Sequence, residues 1–415
     1  MPKHATLLLA AGLLGGAAVT LSFGSHVAGN SGTAPMNGDV AAGNVAAAVA
    51  SAGSGEAARV TPADAAQIHL SFAPVAKAVR PTVVNIYTAR VVRQRQQMSP
   101  FFSLFNNQPR VENALGSGVI IDGKGLIVTN NHVVEGADQI LVALADRREF
   151  PAKLLFAEPR LDLALLQIDP KGAEIPVAHL GDSDRAEVGD LVLAIGNPFG
   201  VGQTVTQGIV SATARTGIGV SDAQFFIQTD ASINQGNSGG ALAAMNGDVI
   251  GINSAILTGA DGGGSIGLGF AIPSNMVKTF LRGASTGKFV TAWAGVEGES
   301  LTAETARQAN LPTPSGMLVT DVSMGSPAAK AGLRAGDIVY AVDGREVADP
   351  SSLRYRIATR PVGGTVTLTV VRAGRASNLK MELAAPPETP ARDLTRLPDG
   401  SILAGVTIAN LSPAL

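Results

Sequence analysis

Two short motifs in this chain carry residues that could do covalent chemistry. The first is Gly236-Asn237-Ser238-Gly239-Gly240, a serine between glycines, and the second is Thr129-Asn130-Asn131-His132-Val133-Val134, upstream of it. Glycine accepts backbone dihedrals that other residues resist, so several amide N–H groups can point at one place. Preorganised donors of this kind stabilise the oxyanion that develops in acyl transfer. We therefore predict that Ser238 is a nucleophile and that His132 is the base that activates it.

A third group must hold the imidazole in one tautomer and stabilise its charged form. Asp162 begins the apolar run Leu163–Ile168, where a carboxylate is partly desolvated and is worth burying only with a partner. The order His, Asp, Ser along the chain is that of chymotrypsin-like double barrels, which favours a serine protease. Less suitable carboxylates lie in polar turns: Asp138, Asp146, Asp182 and Asp190. The other histidines lie in the N-terminal segment, before the first strand or in a turn: His4, His26, His69 and His179.

The composition excludes or disfavours several other chemistries. The 415 residues include no cysteine, which rules out disulfides, thiolate metal sites and cysteine nucleophiles. A formal net charge of −2 without a basic tract gives no support for nucleic acid as a partner. Ser238 lacks the GxSxG pattern of an esterase, and Gly262-Gly263-Gly264 lacks the Lys-Ser/Thr of a phosphate loop. We predict no metal and no cofactor.

Short strands separated by turn signals dominate the chain from residue 83 to residue 272. This spacing predicts an all-β sandwich or a pair of barrels. A short helix over Pro74–Arg80 is expected before the strands and another, Met276–Leu281, after them. The predicted strands are Val83–Thr88, Gly118–Ile121, Leu126–Thr129, Ile140–Ala143, Leu163–Ile168, Leu191–Ile195, Gln203–Ser211, Phe225–Thr229, Val249–Ser254 and Gly269–Ile272.

A second, smaller α+β domain is predicted beyond the polar break Gly283–Gly287, which we take as the domain boundary. Its expected elements are a strand Gly316–Val322, a one-turn helix Pro327–Leu333, a strand Asp337–Gly344, a helix Ser351–Thr359 and a strand Gly364–Arg372.

The N-terminus has the pattern of an export signal. Lys3 and His4 precede an apolar stretch of small residues, Ala5–Phe23. This indicates a secretory signal peptide or an uncleaved membrane anchor over residues 1–28. Residues 29–65 are rich in small residues and are expected to form a flexible spacer.

With these motifs in place, the chain resembles the HtrA/Deg family of serine proteases, in its periplasmic Do-like (DegP/DegQ) branch. The resemblance implies a mainly β fold, with a chymotrypsin-like double β-barrel protease domain over 66–285 and an α+β PDZ domain over 286–385. It makes Ser238 the nucleophile, His132 the general base and acid, and Asp162 the orienting carboxylate. The matching stretches are Thr129–Val134, Leu161–Ile168, Gly196–Gly200, Thr204–Ala212 and Gln228–Leu242.

The resemblance also assigns the surroundings of the nucleophile. The backbone N–H groups of Gly236 and Ser238 would form the oxyanion hole, and the peptide of Asn237 between them must point correctly. Since Gly251–Ile256 contains no acidic residue, we expect a shallow apolar pocket for Val, Ala or similar side chains. The corresponding pocket walls are Ile233, Asn253, Ser254, Ala255 and Ile256.

In the PDZ domain, Trp293-Ala294-Gly295-Val296 matches the loop whose N–H groups receive a peptide carboxylate. The strand that follows and the helix Ser351–Thr359 would bind a substrate C-terminus by β-augmentation. The family usually has a bulky aliphatic residue where Ala294 stands. Ile402–Val406 resembles the opening of a second PDZ domain. Residues 386–415 are therefore expected to be a linker followed by the truncated start of that domain. Either the chain is a fragment or the remainder of the second domain has been lost.

Regulation is implied at three segments. The family forms trimers or multiples of trimers, and Ser71–Tyr87 resembles the part that supports trimer contacts. The aromatic cluster Phe101–Phe105 resembles a loop that enters a neighbour's active site, although it could also pack beneath its own loop or form an exposed docking patch. Arg215 matches a sensor arginine that relays PDZ occupancy, the alternative being an exposed turn residue. The glycine-rich loop Thr258–Gly269 would supply the required flexibility.

These inferences predict an ATP-independent serine endopeptidase that degrades unfolded or damaged proteins in the periplasm, with possible anchoring to the inner membrane through the N-terminus. Its partners would be unfolded substrates and C-terminal peptides. The alternative is a holdase or a PDZ peptide-binding scaffold without significant proteolysis. A complete set of His132, Asp162 and Ser238 favours the protease.

Overall fold

The computed structural model describes residues 71–92, 110–197, 203–215, 225–234, 236–258, 265–398, 400 and 404–414. The stretches Ala5–Phe23, Phe101–Phe105 and Gly262–Gly264 lie outside these residues. The expectation of a mainly β chain with two barrels and a smaller α+β domain is confirmed. Within the described residues, no helix combines the length and the apolar character that crossing a bilayer requires.

The first barrel closes through six antiparallel strands in the order β1-β2-β3-β6-β5-β4. Its alternating apolar residues fill the interior with a core that includes Ile86, Ile120, Ile127 and Leu166, all without solvent exposure. The strands are β1 (Val83–Val92), β2 (Arg110–Ile120), β3 (Leu126–Thr129), β4 (Gln139–Ala143), β5 (Glu149–Glu158) and β6 (Leu163–Ile168).

The second barrel also closes through six antiparallel strands, in the order β10-β11-β12-β9-β8-β7. A further core joins the two barrels, with Val119 and Leu163 from the first barrel packed among Ile195 and Phe270 from the second. This packing holds the facing ends of the barrels at fixed positions. The strands are β7 (Leu191–Gly196), β8 (Thr204–Arg215), β9 (Phe226–Thr229), β10 (Ala241–Ala244), β11 (Val249–Thr258) and β12 (Ser265–Pro273).

Helices flank the two barrels. Helix α1 (Ala73–Val79) enters β1 through a 3₁₀ turn at Arg80–Thr82, and α2 (Asn131–Val134) follows β3 directly. Helix α3 (Ser274–Thr286) packs the buried residues Met276, Val277 and Phe280 against the barrels. It runs through most of the predicted polar break Gly283–Gly287, so the helix ends later than expected, at the left-handed Gly287. Small polar residues are tolerated in its last turn because the apolar face has already ended.

The smaller domain is one sheet with two longer helices and a short one. Strand order is β13-β14-β15-β17-β18, and β16 pairs with β15. Its elements are β13 (Val296–Ser300), α4 (Ala303–Gln308), β14 (Met317–Val322), α5 (Pro327–Lys330), β15 (Ile338–Val342), β16 (Arg345–Glu346), α6 (Pro350–Ala358), β17 (Thr365–Arg372) and β18 (Arg375–Glu382). A separate hairpin follows, β19 (Thr395–Arg396) with β20 (Thr407–Ile408).

Helix α6 docks the smaller domain on the second barrel. The buried Tyr355 hydroxyl lies 3.0 Å from the hydroxyl of Ser183, and the Tyr355 ring lies 5.4 Å from that of Phe225. At the end of the helix, the carbonyl of Thr359 accepts a hydrogen bond from Arg282 of α3 at 2.9 Å. The helix that faces the smaller domain's own cleft therefore also carries the interdomain contact.

Candidate active site

His132 and Asp162 meet at one end of the first barrel. Nδ1 of His132 lies 2.8 Å from Oδ2 of Asp162, and the backbone N–H of His132 donates to Oδ1 of the same carboxylate at 2.9 Å. The His132 side chain is 49% exposed and that of Asp162 only 17%. The ring is thus held from behind by a shielded carboxylate while its other nitrogen stays accessible to substrate.

The backbone of Asp162 takes an unusual conformation to reach this position. Asp162 ends the 3₁₀ turn Pro159–Leu161 with φ 56° and ψ 43°, in the left-handed region, just before β6. Aspartate enters this region more readily than most residues. The Asp162 carbonyl is fixed as well, because it accepts from the backbone N–H of Asn131 at 3.1 Å and from the side-chain amide of Asn130 at 2.9 Å. The helix of His132 and the turn of Asp162 are therefore tied together twice.

Ser254, on β11 of the second barrel, connects the carboxylate of Asp162 with the hydroxyl of Ser238. Its hydroxyl donates to Oδ2 of Asp162 at 3.0 Å, and its carbonyl accepts from the hydroxyl of Ser238 at 3.0 Å. Among the described residues, no hydrogen bond joins Ser238 to the ring of His132. Such bonds are often loose in unliganded sites and form when substrate binds. From the sequence, Ser254 was predicted to be a wall of the substrate pocket, and its hydrogen bond to Asp162 was not predicted.

The loop Gly236–Gly240 presents two unused amides beside the Ser238 hydroxyl. Among the described residues, the N–H groups of Gly236 and Ser238 donate to no acceptor, whereas the Asn237 N–H donates to the carbonyl of Asn234 at 3.0 Å. The Asn237 amide is therefore already occupied. Gly236 adopts φ 99° and Gly239 φ 83°, which side chains rarely tolerate. A Cβ on Gly239 would collide with the carbonyl of Ser117.

The residues predicted to line the substrate pocket lie next to this loop. Ile233 is 1% exposed and packs in the second barrel's core, close under Gly269 of β12. Asn253 is fully buried, and its side-chain amide donates to the carbonyl of Ala241 at 3.0 Å. Asn253 thus supports the loop instead of offering its side chain to a ligand. The backbones of Ala255 and Ile256 continue β11, and their side chains lie outside the described part.

In the smaller domain, the loop Trp293–Val296 leaves backbone donors free. The carbonyls of Ala294 and Gly295 accept from Ala328 and Ser323, both at 2.9 Å, while their own N–H groups find no acceptor within the described residues. Gly295 adopts φ 71°, and a Cβ there would press on the ring of Trp293 and on Ser326. A small residue and a positive φ are therefore both required at this position.

These free donors face an open cleft of about 1510 Å³. Leu353 and Ile357 of α6 line one side of the cleft, and Phe289 of the segment after α3 also borders it. Ala294 itself is only 7% exposed and belongs to the domain's core. Free amides at one end and an apolar helix face beside them suit an extended peptide that ends in a carboxylate.

The remaining predicted residues lie away from this chemistry. Arg215 is the exposed last residue of β8, in register with Phe226, and the loop after it is outside the described residues. His179 is 79% exposed on its side chain and pairs with Asp248 at 2.6 Å. Asp146 and Asp182 accept backbone hydrogen bonds within their own turns, as expected for turn residues. In the described part, no cluster of three or more His, Asp or Glu residues is arranged to hold a metal ion.

Comparison with protein families identifies both domains. The trypsin-like peptidase domain family matches residues 116–252, and the PDZ domain family matches residues 295–383. The periplasmic serine endoprotease DegP of Salmonella typhimurium is 44% identical over 345 residues, which is 75% of this chain and 72% of the relative. The pH-dependent periplasmic serine endoprotease DegQ of Escherichia coli is 42% identical over 351 residues, 81% of this chain and 76% of the relative.

Solved structures agree with this assignment. The HtrA-type protease AlgW with a tripeptide is 40% identical, with a TM-score of 0.55, over 80% of this chain and 99% of the solved one. An AlgW variant with a decapeptide gives 41% identity and a TM-score of 0.51 over 78% and 100%. With a double barrel, a PDZ domain and relatives above 40% identity over most of both chains, this chain belongs to the HtrA family of serine endoproteases, in its DegP/DegQ branch.

Proposed function

We propose that this endopeptidase uses Ser238 as nucleophile, His132 as general base and acid, and Asp162 as the carboxylate that orients the ring. The observation that carries the assignment is the double contact of one Asp162 carboxylate with both the ring and the backbone of His132, at 2.8 and 2.9 Å. A carboxylate in that position fixes the tautomer with the proton on Nδ1, which leaves Nε2 free to accept a proton.

The reaction follows from these positions. Substrate binding turns the Ser238 hydroxyl away from the Ser254 carbonyl and toward Nε2 of His132. Ser238 Oγ then attacks the scissile carbonyl carbon, its proton passes to His132, and the oxyanion accepts from the free N–H groups of Gly236 and Ser238. The tetrahedral intermediate collapses as His132 gives the proton to the leaving amine. Water, deprotonated by the same ring, releases the acyl group from Ser238.

Substrates of this site are proposed to be unfolded or damaged proteins with small aliphatic residues at the cleavage position. Support comes from the apolar character of the predicted wall residue Ile233 and from the lack of any acidic residue in Gly251–Ile256. A basic substrate side chain would find no counter-charge there. Cleavage-site profiling of an unfolded protein tests the preference, and frequent cleavage after Lys or Arg would contradict it.

The PDZ domain is proposed to bind substrate C-termini and to regulate the protease. Support comes from the free N–H groups of Ala294 and Gly295 at the cleft and from solved HtrA-type relatives that contain peptides. Arg215, on the strand before β9, is proposed to take part in relaying occupancy. Full activation of an Arg215→Ala variant by a C-terminal peptide would exclude that role.

The wider setting is also part of the proposal. We assign residues 66–285 to the protease domain and 286–385 to the PDZ domain, with residues 1–28 directing export. Relatives named as periplasmic proteases support a periplasmic location, and the family resemblance of Ser71–Tyr87 supports a homotrimer or a multiple of trimers. Light scattering of the purified protein measures the assembly, and a monomer at working concentration would contradict it.

The function is tested with the chain from about residue 57 onward, which omits the proposed export segment and most of the proposed spacer. Wild type, Ser238→Ala and the control Ser211→Ala, a half-buried serine on β8, are incubated with an unfolded protein over a temperature series. We expect wild type and the control to degrade it and Ser238→Ala to leave it intact. Cleavage by Ser238→Ala would overturn the nucleophile. Suppressed aggregation without cleavage by any variant would favour the holdase.

A further inference from the structure

Ser117 lies on β2 of the first barrel, with no exposed surface, at the point where the two barrels meet. In the register of the first barrel it stands opposite Asn85 of β1. Its backbone N–H, its carbonyl and its hydroxyl all make hydrogen bonds with other residues. None of the chemistry described so far uses this residue.

Three of its bonds cross to the second barrel. The Ser117 hydroxyl donates to the carbonyl of Gly236 at 2.7 Å, and its backbone N–H donates to the carbonyl of Ser238 at 2.8 Å. The same hydroxyl oxygen accepts from the backbone N–H of Asn197, at the end of β7, at 2.9 Å. A fourth bond, from the Thr129 hydroxyl to the Ser117 carbonyl at 2.7 Å, fixes Ser117 within its own barrel.

These contacts hold the two residues whose free amides face the substrate. The carbonyls of Gly236 and Ser238 are both anchored on Ser117, and the Asn237 carbonyl between them accepts from the N–H of Gly240 at 2.9 Å. Because a peptide unit is planar, the bond to the Asn237 carbonyl also fixes the N–H of Ser238. The two bonds from Ser117 fix the peptides on either side of this unit, 236–237 and 238–239, and so hold the backbone of Gly236 and Ser238 in place. The glycines of this loop would otherwise leave it many alternative conformations.

We propose that Ser117 is a positioning residue for the oxyanion hole, whose side-chain hydroxyl keeps the Gly236–Ser238 segment in the conformation that presents both amides. The inference rests on the proposed roles of Ser238 and of the two amides. A hydroxyl suits the position because it donates to one carbonyl and accepts from one N–H at once. Alanine would remove both of these hydrogen bonds, including the one to the Gly236 carbonyl. Ser117 itself touches no substrate.

The test compares Ser117→Ala with Thr82→Val as a matched control. Thr82 is also buried, and its hydroxyl donates to the carbonyl of Val79, three residues earlier in the chain, at 2.8 Å. Each variant loses one buried hydroxyl. Cleavage of a quenched fluorescent peptide, built on a site found in an unfolded protein, gives kcat and KM. We expect kcat of Ser117→Ala to fall about 10- to 100-fold with KM nearly unchanged, and kcat of the control to stay at the wild-type value.

A peptide boronic acid of the same sequence supplies a readout that a merely structural role would not change. Ser238 Oγ adds to boron, its proton passes to His132, and an oxygen of the tetrahedral adduct occupies the oxyanion hole. Its dissociation constant is expected to rise in Ser117→Ala by the same factor as kcat/KM falls. A fall in kcat with unchanged boronate affinity, or a kcat equal to that of Thr82→Val, would overturn the proposal.

Two further variants decide the matter if Ser117→Ala does not fold. Ser117→Thr keeps the hydroxyl and is expected to retain most of kcat, whereas Ser117→Cys keeps the shape with weaker hydrogen bonds and is expected to lose part of it. A folded Ser117→Cys with wild-type kcat would contradict the role of the hydroxyl. Failure of the proposed function has a different signature, since then cleavage by the wild-type enzyme would not depend on Ser238.

Discussion

The hydroxyl of Ser254 donates to Oδ2 of Asp162 at 3.0 Å, across the junction between the two barrels. The same oxygen lies 2.8 Å from Nδ1 of His132, so it accepts hydrogen bonds from both the ring and the hydroxyl. Its other oxygen accepts the backbone N–H of His132. Three hydrogen bonds to one shielded carboxylate leave it a single orientation, and this orientation sets the direction of the His132 ring.

Replacement of Asp162 by asparagine tests the orienting role directly. The Asp162→Asn variant keeps the size of the side chain but offers an N–H where an acceptor is needed, which favours the wrong tautomer of His132. We expect kcat to fall by about 10⁴-fold. The measurement is the rate of peptide cleavage, with circular dichroism as the control for folding. A folded variant with more than about a tenth of wild-type activity would contradict the assignment.

Ser254→Ala is expected to have a milder effect. The substitution removes the hydroxyl bond to Asp162 but keeps the backbone carbonyl that accepts from Ser238. One hydrogen bond to a charged group is worth roughly 1.5–3 kcal/mol, so we expect a loss in kcat of about 10- to 150-fold. Ser211→Ala serves as the control in the same barrel. Equal kcat for both variants would mean that Asp162 needs no support from β11.

The PDZ loop offers an intrinsic probe, because Trp293 is the only tryptophan in the chain. Its ring lies against Gly295, beside the free amides. Titration with a peptide that ends in a free carboxylate is expected to change the tryptophan fluorescence. The same peptide with an amidated C-terminus should bind at least about tenfold more weakly, because it lacks the charge that the N–H groups receive. Equal binding of both peptides would exclude carboxylate recognition.

Gly295→Ala is expected to reduce that binding at least about tenfold, since a Cβ at φ 71° would collide with Ser326 and Trp293. Gly363→Ala is the matched control, with φ 80° but no atom within 4 Å of the added carbon. Both variants incur the same kind of backbone strain, and only the first disturbs the loop. Similar peptide affinity in the two variants would show that the loop tolerates a side chain.

Tyr355 gives a pH-dependent prediction for the interdomain contact. Burial, and then the negative charge of Asp184, raise the pKa of Tyr355 above its ordinary value. Because the pKa is raised in the folded state, the unfolded chain loses its proton first. The contribution of Tyr355 to stability is therefore complete below about pH 10 and is lost as the pH rises further.

Tyr355→Phe isolates this effect. It removes the bond to Ser183 and is expected to lower the free energy of unfolding by about 1 kcal/mol at neutral pH. Above about pH 10, the stability of the wild type should fall more steeply than that of the variant. Denaturant unfolding at several pH values measures both. Parallel curves up to pH 11 would contradict a buried neutral Tyr355.

Most strands with an apolar face were predicted from the sequence, although the short buried strand β10 (Ala241–Ala244) was not, and several strands without such a face were missed. Leu163–Ile168 is observed with the predicted bounds, whereas β5 was missed because half of its residues are exposed and Pro151 interrupts the pattern. Strand β13 was expected only from the family resemblance, since Val296–Ser300 contains two glutamates and no buried residue. Whether such segments form strands depends on pairing with neighbouring strands, which a local sequence pattern does not record.

Those residues of the candidate site that lie in a short sequence motif could be predicted from the sequence. His132 and Asp162 were singled out as partners from their local surroundings, and the structure places them in hydrogen-bond contact. Ser117 was not, because its partners lie in the other barrel and are far away along the chain. The only local signal was a serine between Gly116 and Gly118, which by itself indicates a turn as readily as a close approach of backbones.

The proposed base and the proposed nucleophile of this enzyme lie in different barrels. His132 and Asp162 follow strands of the first, and Ser238 precedes β10 of the second. A chain that has finished only its first barrel during synthesis therefore carries an ordinary histidine, and an isolated second barrel carries an ordinary serine. Proteolytic activity therefore requires that both barrels have folded and are in contact. An enzyme that cleaves unfolded chains is thus inactive as long as its own chain is still unfolded.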